Sequence, residues 1–169
     1  MKFEPASKED ANTILELYHS VLGTPCCRWS LAYPLMENIE DDAMRKAYGE
    51  MLQNCMDFPE KRMWYALWQM ELKEKPGVIV GSFCFKGVDK DGSVEIGYGL
   101  HDGFCGNGYM TEALNAVAEW ALKQAGIEKI IAETEAENES SKKVLLRTGF
   151  RFSGENGVEG PIYERKSIK

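Results

Sequence analysis

The 169-residue chain is short of most features that would mark a specialised class. Histidine occurs only at His19 and His101, and the five cysteines show no repeated C-x-x-C spacing, so neither a metal site nor a disulfide framework is expected. Cys26 and Cys27 are neighbours, which are poorly placed to bridge each other. No apolar run is long enough to span a bilayer, and the opening MKFEPASKEDAN is acidic where a secretion signal needs an apolar core. A cytoplasmic protein with no membrane partner is therefore expected. Lys and Arg total 20 against 27 Asp and Glu, a net charge of −7, and there is no basic stripe of the kind a nucleic-acid backbone requires. No repeat, linker or low-complexity tract divides the chain, and 44% hydrophobic residues suffice for one core, so a single domain over 1–169 is expected.

The chain does carry alternating helix and strand periods. Ser7 and Asp10 read as a helix start, and Ala11, Ile14, Tyr18, Val21 and Leu22 recur at helical spacing until Gly23 and Pro25. After a predicted loop with Trp29, Tyr33 and Pro34, a second helical period runs through Ile39, Ala43, Ala47, Tyr48, Met51, Leu52 and Cys55. Three strand-like stretches follow, Met63 to Met70, Val78 to Phe85 and Ser93 to Leu100, separated by turn signals and read as an antiparallel meander. Leu114, Val117, Ala118, Ala121 and Leu122 mark one face of a helix that Gly126 ends. Ile127 to Glu135 reads as a strand, Asn138 as the cap of a short helix ending at Gly149, and Phe150 to Phe152 with Pro161 to Arg165 as a closing hairpin. With an extra strand at Lys2 to Pro5 left open, the order implies an α+β fold: a mixed sheet with helices on both faces.

The stretch EIGYGLHDGFCGNGYMTEAL, Glu95 to Leu114, is the most informative. Gly106 and Gly108 permit backbone conformations and approaches that a Cβ would block, so N–H groups from Asn107 to Thr111 can point at phosphate oxygens beside the positive helix end. By itself G-x-G before a helix also describes a tight strand-to-helix turn. It lacks the third glycine of a dinucleotide fingerprint and the Gly-Lys-Ser/Thr ending of a nucleoside-triphosphate loop.

IGYGLHDGFCGNGYMTEAL together with AENESSKKVLLRTGF resembles the central segments of the GNAT superfamily of acyl-CoA N-acetyltransferases, over about Val78 to Phe152. Within it the look is that of the ribosomal-protein N-terminal acetyltransferase branch. The resemblance implies a GNAT-like, mostly antiparallel central sheet and an acetyl-CoA donor. Cys105, Gly106, Asn107, Gly108, Tyr109, Met110 and Thr111 would wrap the diphosphate, with backbone amides from Gly106, Gly108 and Met110. Asn138 and Ser141 would face the pantetheine or phosphate side. The backbone at Gly99 and Leu100 would follow the pantetheine arm, between two splayed parallel strands. Three positions depart from the family pattern: Cys105 replaces Arg or Gln, Met110 replaces Gly or Ala, and Leu145 stands where many members carry the tyrosine that protonates the departing thiolate.

An ammonium acceptor must lose a proton before it attacks a thioester, so a base is needed. Glu95 fits because Glu95, Gly97 and Gly99 alternate onto one strand face, opposite Val94, Ile96 and Tyr98; a solvated or salt-bridged glutamate is the alternative. Tyr163 in the last strand is a candidate acid, with packing as its alternative. His101 lies near the loop, His19 on the first helix reads as structural or exposed, and Cys105 lacks a partner in sequence reach for nucleophilic work. Trp29, Tyr33 and Tyr48 with Glu37, Glu40, Asp41 and Asp42 are candidates for an aromatic and acidic acceptor cleft, although acids also favour a helix start. The expected function is acetyl transfer from acetyl-CoA to a peptide or small-molecule amine. An inactive coenzyme A-binding module and a nucleotide-phosphate binder are the alternatives, and a homodimer is left open.

Overall fold

The structure is a computed structural model. It describes residues 3–5, 26–34 and 40–168, with 3–5 and 31–34 described by their backbone. The helix expected over Ser7 to Leu22 lies outside these residues. The described elements are β1 (Phe3–Pro5), β2 (Cys27–Pro34), α1 (Asp42–Asp57), a 3₁₀ turn (Pro59–Trp64), β3 (Leu67–Leu72), β4 (Ile79–Val88), β5 (Ser93–Leu100), α2 (Tyr109–Leu122), β6 (Lys129–Glu133), α3 (Glu139–Arg147), β7 (Arg151–Asn156) and β8 (Pro161–Lys166). Among the described residues no helix is long and apolar enough to cross a membrane.

The strands form one eight-stranded sheet, β1-β2-β3-β4-β5-β6-β8-β7. Every neighbouring pair is antiparallel except β5 with β6. The meander β3-β4-β5 and the closing hairpin match the sequence reading. Boundaries differ: β4 runs on to Val88 and β7 to Asn156, beyond the expected Phe85 and Phe152, and three further readings are corrected. The expected loop at Trp29, Tyr33 and Pro34 is β2, in which Cys27 and Trp29 turn inward and Arg28 outward, while Pro34 falls at the strand end, where it interrupts no central ladder. The strand expected from Met63 begins at Leu67, because Pro59 opens a 3₁₀ turn that carries the chain through Trp64. The strand expected over Ile127 to Glu135 is confined to Lys129–Glu133.

Strand alternation divides the side chains of β4 between two layers. Phe83 and Phe85 are buried, and Phe85 and Trp64 both meet Trp120 of α2, with ring centroids 6.3 and 5.2 Å away. Trp29 packs edge-on against Phe83 at 5.0 Å, and Trp68 stacks on it at 5.9 Å. Cys84 and Lys86 face the other way, against α1. Helices therefore cover both faces, as the pattern implied. α2 is held by Met110, Ala113, Leu114, Val117, Ala118, Trp120 and Ala121, the apolar stripe of a core-facing helix.

β4 and β5 approach closely at Gly81. A Cβ there would collide with the Gly99 carbonyl oxygen and stand 3.0 Å from the Leu100 Cα. The obstruction is backbone, so relief requires the strands to part. Gly81→Ala should cost about 1–3 kcal/mol, read as a lower urea midpoint, and should displace Gly99 and Leu100.

Candidate active site

β5 leaves the sheet at Leu100, and the loop that follows returns as α2. The His101 N–H donates to the Val80 carbonyl at 2.8 Å and the Phe104 N–H to the His101 carbonyl at 3.2 Å, fixing the first turn. Gly106 and Gly108 take φ +82° and +79°, with open space where each Cβ would stand. Asn107 turns its carboxamide back to donate to the carbonyls of Phe104 (3.1 Å) and Cys105 (3.4 Å). Glu112 makes the first helical bond, to the Gly108 carbonyl at 3.0 Å, and no side chain caps the helix. The amides of Tyr109, Met110 and Thr111 therefore have no helical acceptor and present the positive end of α2 outward.

Those amides border a cavity of about 170 Å³ lined by Leu100, Cys105, Gly106, Gly108, Met110 and Thr111 on one side and by Ser140, Lys143, Val144 and Arg147 of α3 on the other. Six residues expected at the cofactor thus share one wall. The remaining ones do not line it. Gly99 is exposed, Tyr109 is half-buried against the core, and Asn138 spends its side chain as the α3 cap, accepting from the Ser141 N–H at 3.0 Å. The Ser141 hydroxyl lies 2.8 Å from the Tyr98 hydroxyl, while its neighbour Ser140 lines the cavity.

Lys143 and Arg147 were missed by the sequence reading. They sit at i and i+4, one turn apart on one side of α3, a spacing that was legible in KKVLLR. Lys142 is engaged by Glu139 at 2.8 Å, whereas neither Lys143 nor Arg147 forms an ion pair among the described residues. Two cations outside any ion pair repel at this spacing, so their placement on a wall facing outward-pointing amides suits an anion.

The strands beside this cavity diverge. β5 pairs with β6 only through Ser93 with Lys129, Val94 with Ile130 and Glu95 with Ile131. Beyond that point β5 stays paired to β4 as far as Leu100, and β6 stays paired to β8 through Glu133. Among the described residues the edge of β5 from Ile96 to Leu100 that faces β6 therefore has no strand beside it, and a wedge opens toward the cavity.

A family profile described as an acetyltransferase (GNAT) domain matches residues 1–151. The chain belongs to this family. Among relatives of this GNAT domain, the N-acetyltransferase YjdG of Bacillus subtilis is 29% identical over 83 residues, covering 49% of each chain. The ribosomal-protein-serine acetyltransferase of Escherichia coli is 25% identical over 126 residues, 74% of this chain and 65% of the relative. The chain thus matches about half the length of the first and under two thirds of the second. A solved ribosomal L7/L12 alpha-N-protein acetyltransferase in complex with coenzyme A shares the fold, with TM-score 0.58, 16% identity, and coverage of 97% of this chain and 92% of that one.

The expected catalytic pair of this GNAT domain is not brought together. Glu95 lies on the α1 side of the sheet, hydrogen-bonded and ion-paired to Lys86. Burial acts to lower the Lys86 pKa, but the bond and charge of Glu95 outweigh it and hold the ammonium above its ordinary value. Tyr163 lies opposite Ala132 in β8, 8% exposed, with its ring 5.9 Å from that of Phe152. It is a core residue two strands from Glu95 and on the other face. Leu145 is fully buried and offers no proton. His101 and Cys105 are exposed on the loop.

The expected acceptor cleft is likewise rearranged. Trp29 is core, Asp41 caps α1 by accepting from the Met44 N–H at 2.7 Å, Asp42 pairs with Arg45 at 3.5 Å, and Glu40 is exposed. The side chains of Tyr33 and Glu37, and all of His19, lie outside the described residues. Tyr48 alone of that set lines a cavity of about 410 Å³ between α1 and β4, with Met44, Ala47, Met51, Tyr65 and Cys84 as apolar walls and Glu50, Asn54 and Lys86 as polar ones. Its floor at Cys84 and Lys86 adjoins Gly97 and Glu95 across the β4–β5 ladder. Among the described residues no group of three or more His, Cys, Asp or Glu is placed to hold a metal.

Proposed function

We propose that this protein is an acetyl-CoA-dependent N-acetyltransferase of the cytoplasm that passes the acetyl group directly to a primary amine. The observation that carries the reading is the convergence of three features on one cavity: the outward amides of α2, the two cations of α3, and the wedge between β5 and β6. The amides and cations suit the diphosphate. The wedge suits the pantetheine arm, with backbone groups of Gly99 and Leu100 along it and main-chain donors near the thioester oxygen. The relatives named as N-acetyltransferases, and the coenzyme A bound in a protein of this fold, support the donor.

The amine enters from the α1 side, its carbon skeleton in the 410 Å³ cavity and its ammonium toward Glu95, which takes the proton before attack. Amines with apolar skeletons, including peptides with apolar first residues, are the expected acceptors, because the walls of that cavity supply few polar partners. Calorimetric titration with acetyl-CoA, followed by thiol release across a panel of amines, tests this. Saturable binding with turnover that rises with the apolar area of the amine is expected. Absence of binding ends the donor assignment, and preference for strongly acidic or polycationic amines ends the acceptor assignment.

A further inference from the structure

Breaking the C–S bond leaves a thiolate that must acquire a proton, and none of the groups considered so far can give one there. Leu145 is aliphatic, Tyr163 sits against Phe152 in the core, and Cys105 lies at the diphosphate end. Glu95 and Lys86 occupy the opposite face of the sheet from Ile96 and Tyr98.

We propose that Tyr98 is the general acid, donating its phenolic proton to the coenzyme A sulfur. The assignment rests on the acetyl-transfer reading above. Tyr98 is half-buried, within the stretch of β5 that has left β6, and it projects from the face covered by α2 and α3. Its hydroxyl reaches Ser141 at 2.8 Å, so the phenol stands at the mouth of the wedge between strand and helix. Leu100, two residues on and on the same strand face, and Ser140 and Val144, beside Ser141 on α3, line the cofactor cavity. A cofactor whose diphosphate lies on α2 and whose arm enters the wedge passes along this line toward Tyr98.

The chemistry balances. The amine, having lost its ammonium proton to Glu95 or water, forms the C–N bond; the adduct nitrogen then releases a second proton to water as the tetrahedral oxyanion collapses with loss of sulfur. The sulfur takes the phenolic proton, giving free coenzyme A thiol, an amide and a phenolate. The Ser141 hydroxyl, which can act as donor or acceptor with Tyr98, donates to the phenolate until water returns the proton. Burial raises the Tyr98 pKa against the opposing effect of that bond, so the phenol stays loaded at neutral pH. Of the titratable side chains of α3 and β8, Lys142 is held by Glu139 and interacts with Tyr163, while Tyr98 is set by burial and Ser141.

The test compares wild type, Tyr98→Phe, Ser141→Ala and a protein with 3,5-difluorotyrosine at position 98. Tyr98→Phe should lower kcat by about 100-fold or more, leaving the acetyl-CoA Kd within about threefold. Ser141→Ala, a positioning variant, should lower kcat by about fivefold. The alkaline limb of the wild-type pH–rate profile should move to lower pH in the fluorinated protein by the drop in phenol pKa, and should vanish in Tyr98→Phe. A kcat within threefold of wild type in Tyr98→Phe, or an unmoved limb in the fluorinated protein, overturns the assignment while leaving the transferase reading intact. A wild type that neither binds acetyl-CoA nor releases thiol removes both. If Tyr98→Phe fails to fold, the position of the fluorinated limb decides.

Discussion

Replacing Lys143 and Arg147 together by alanine should weaken acetyl-CoA binding by about 100-fold while leaving the stability of the protein nearly unchanged. Each cation borders the cavity at the α2 amides, and neither has a carboxylate partner among the described residues. A hydrogen bond to a charged group contributes about 1.5–3 kcal/mol. Both side chains are exposed, so the low end applies. Two such losses sum to roughly 3 kcal/mol, about a hundredfold in Kd at 1.4 kcal/mol per decade. Folding should change little, because relief of the like-charge pair at i and i+4 is offset by loss of the Lys143 attraction to Glu139 and of Arg147 from the last turn of the helix. Calorimetry and urea melts on one sample read both effects, and the wild-type affinity should fall more steeply with salt than that of the variant. Equal affinity in variant and wild type would place the anion elsewhere.

The second large effect belongs to Glu95. Glu95→Gln preserves size and shape but removes the proton acceptor, so kcat should drop by about 100- to 1,000-fold with acetyl-CoA affinity nearly unchanged. The substitution also breaks the pair with Lys86, which leaves a separate signature. The folded Lys86 pKa lies above the ordinary 10.5, so the pair stabilises fully below that value and loses its effect as pH climbs through the raised one. Wild type should therefore resist urea better than Glu95→Gln at neutral pH, and the two should converge in strong alkali. A variant with unaltered kcat but lowered stability would assign Glu95 to structure alone.

The parts that sequence reveals are those that depend on local backbone. Gly106 and Gly108 ahead of an apolar helical stripe announce a helix end stripped of side-chain caps, and the alternation of Glu95, Gly97 and Gly99 fixes which face of β5 meets α1. Asn138 is recognisable as a cap for the same reason. Trp29 is different: Trp29, Leu31 and Tyr33 alternate with Arg28, Ser30 and Ala32, a strand period hidden by the proline that follows, and β2 is seen in its pairing with β1 and β3. Lys143 and Arg147 read as a solvated face until α3 is placed across from the loop. Tyr98 reads from alternation only as the face opposite Glu95; its reach to Ser141 of α3 is seen once the helix is placed. Asp41 and Asp42 serve the start of α1, the helix-start reading that their position in the sequence favoured.

Only three residue pairs tie β5 to β6. The sheet is thus two half-sheets, β1 to β5 and β6 to β8, sharing a short hinge at one end. An extended, amide-bearing arm lodged in that opening acts as a ninth strand, satisfying main-chain groups on its flanks and riveting the halves. On the proposed reading, donor occupancy would then govern rigidity as well as chemistry: a loaded protein would be a continuous plate, and release of the spent carrier would return it to a jointed one.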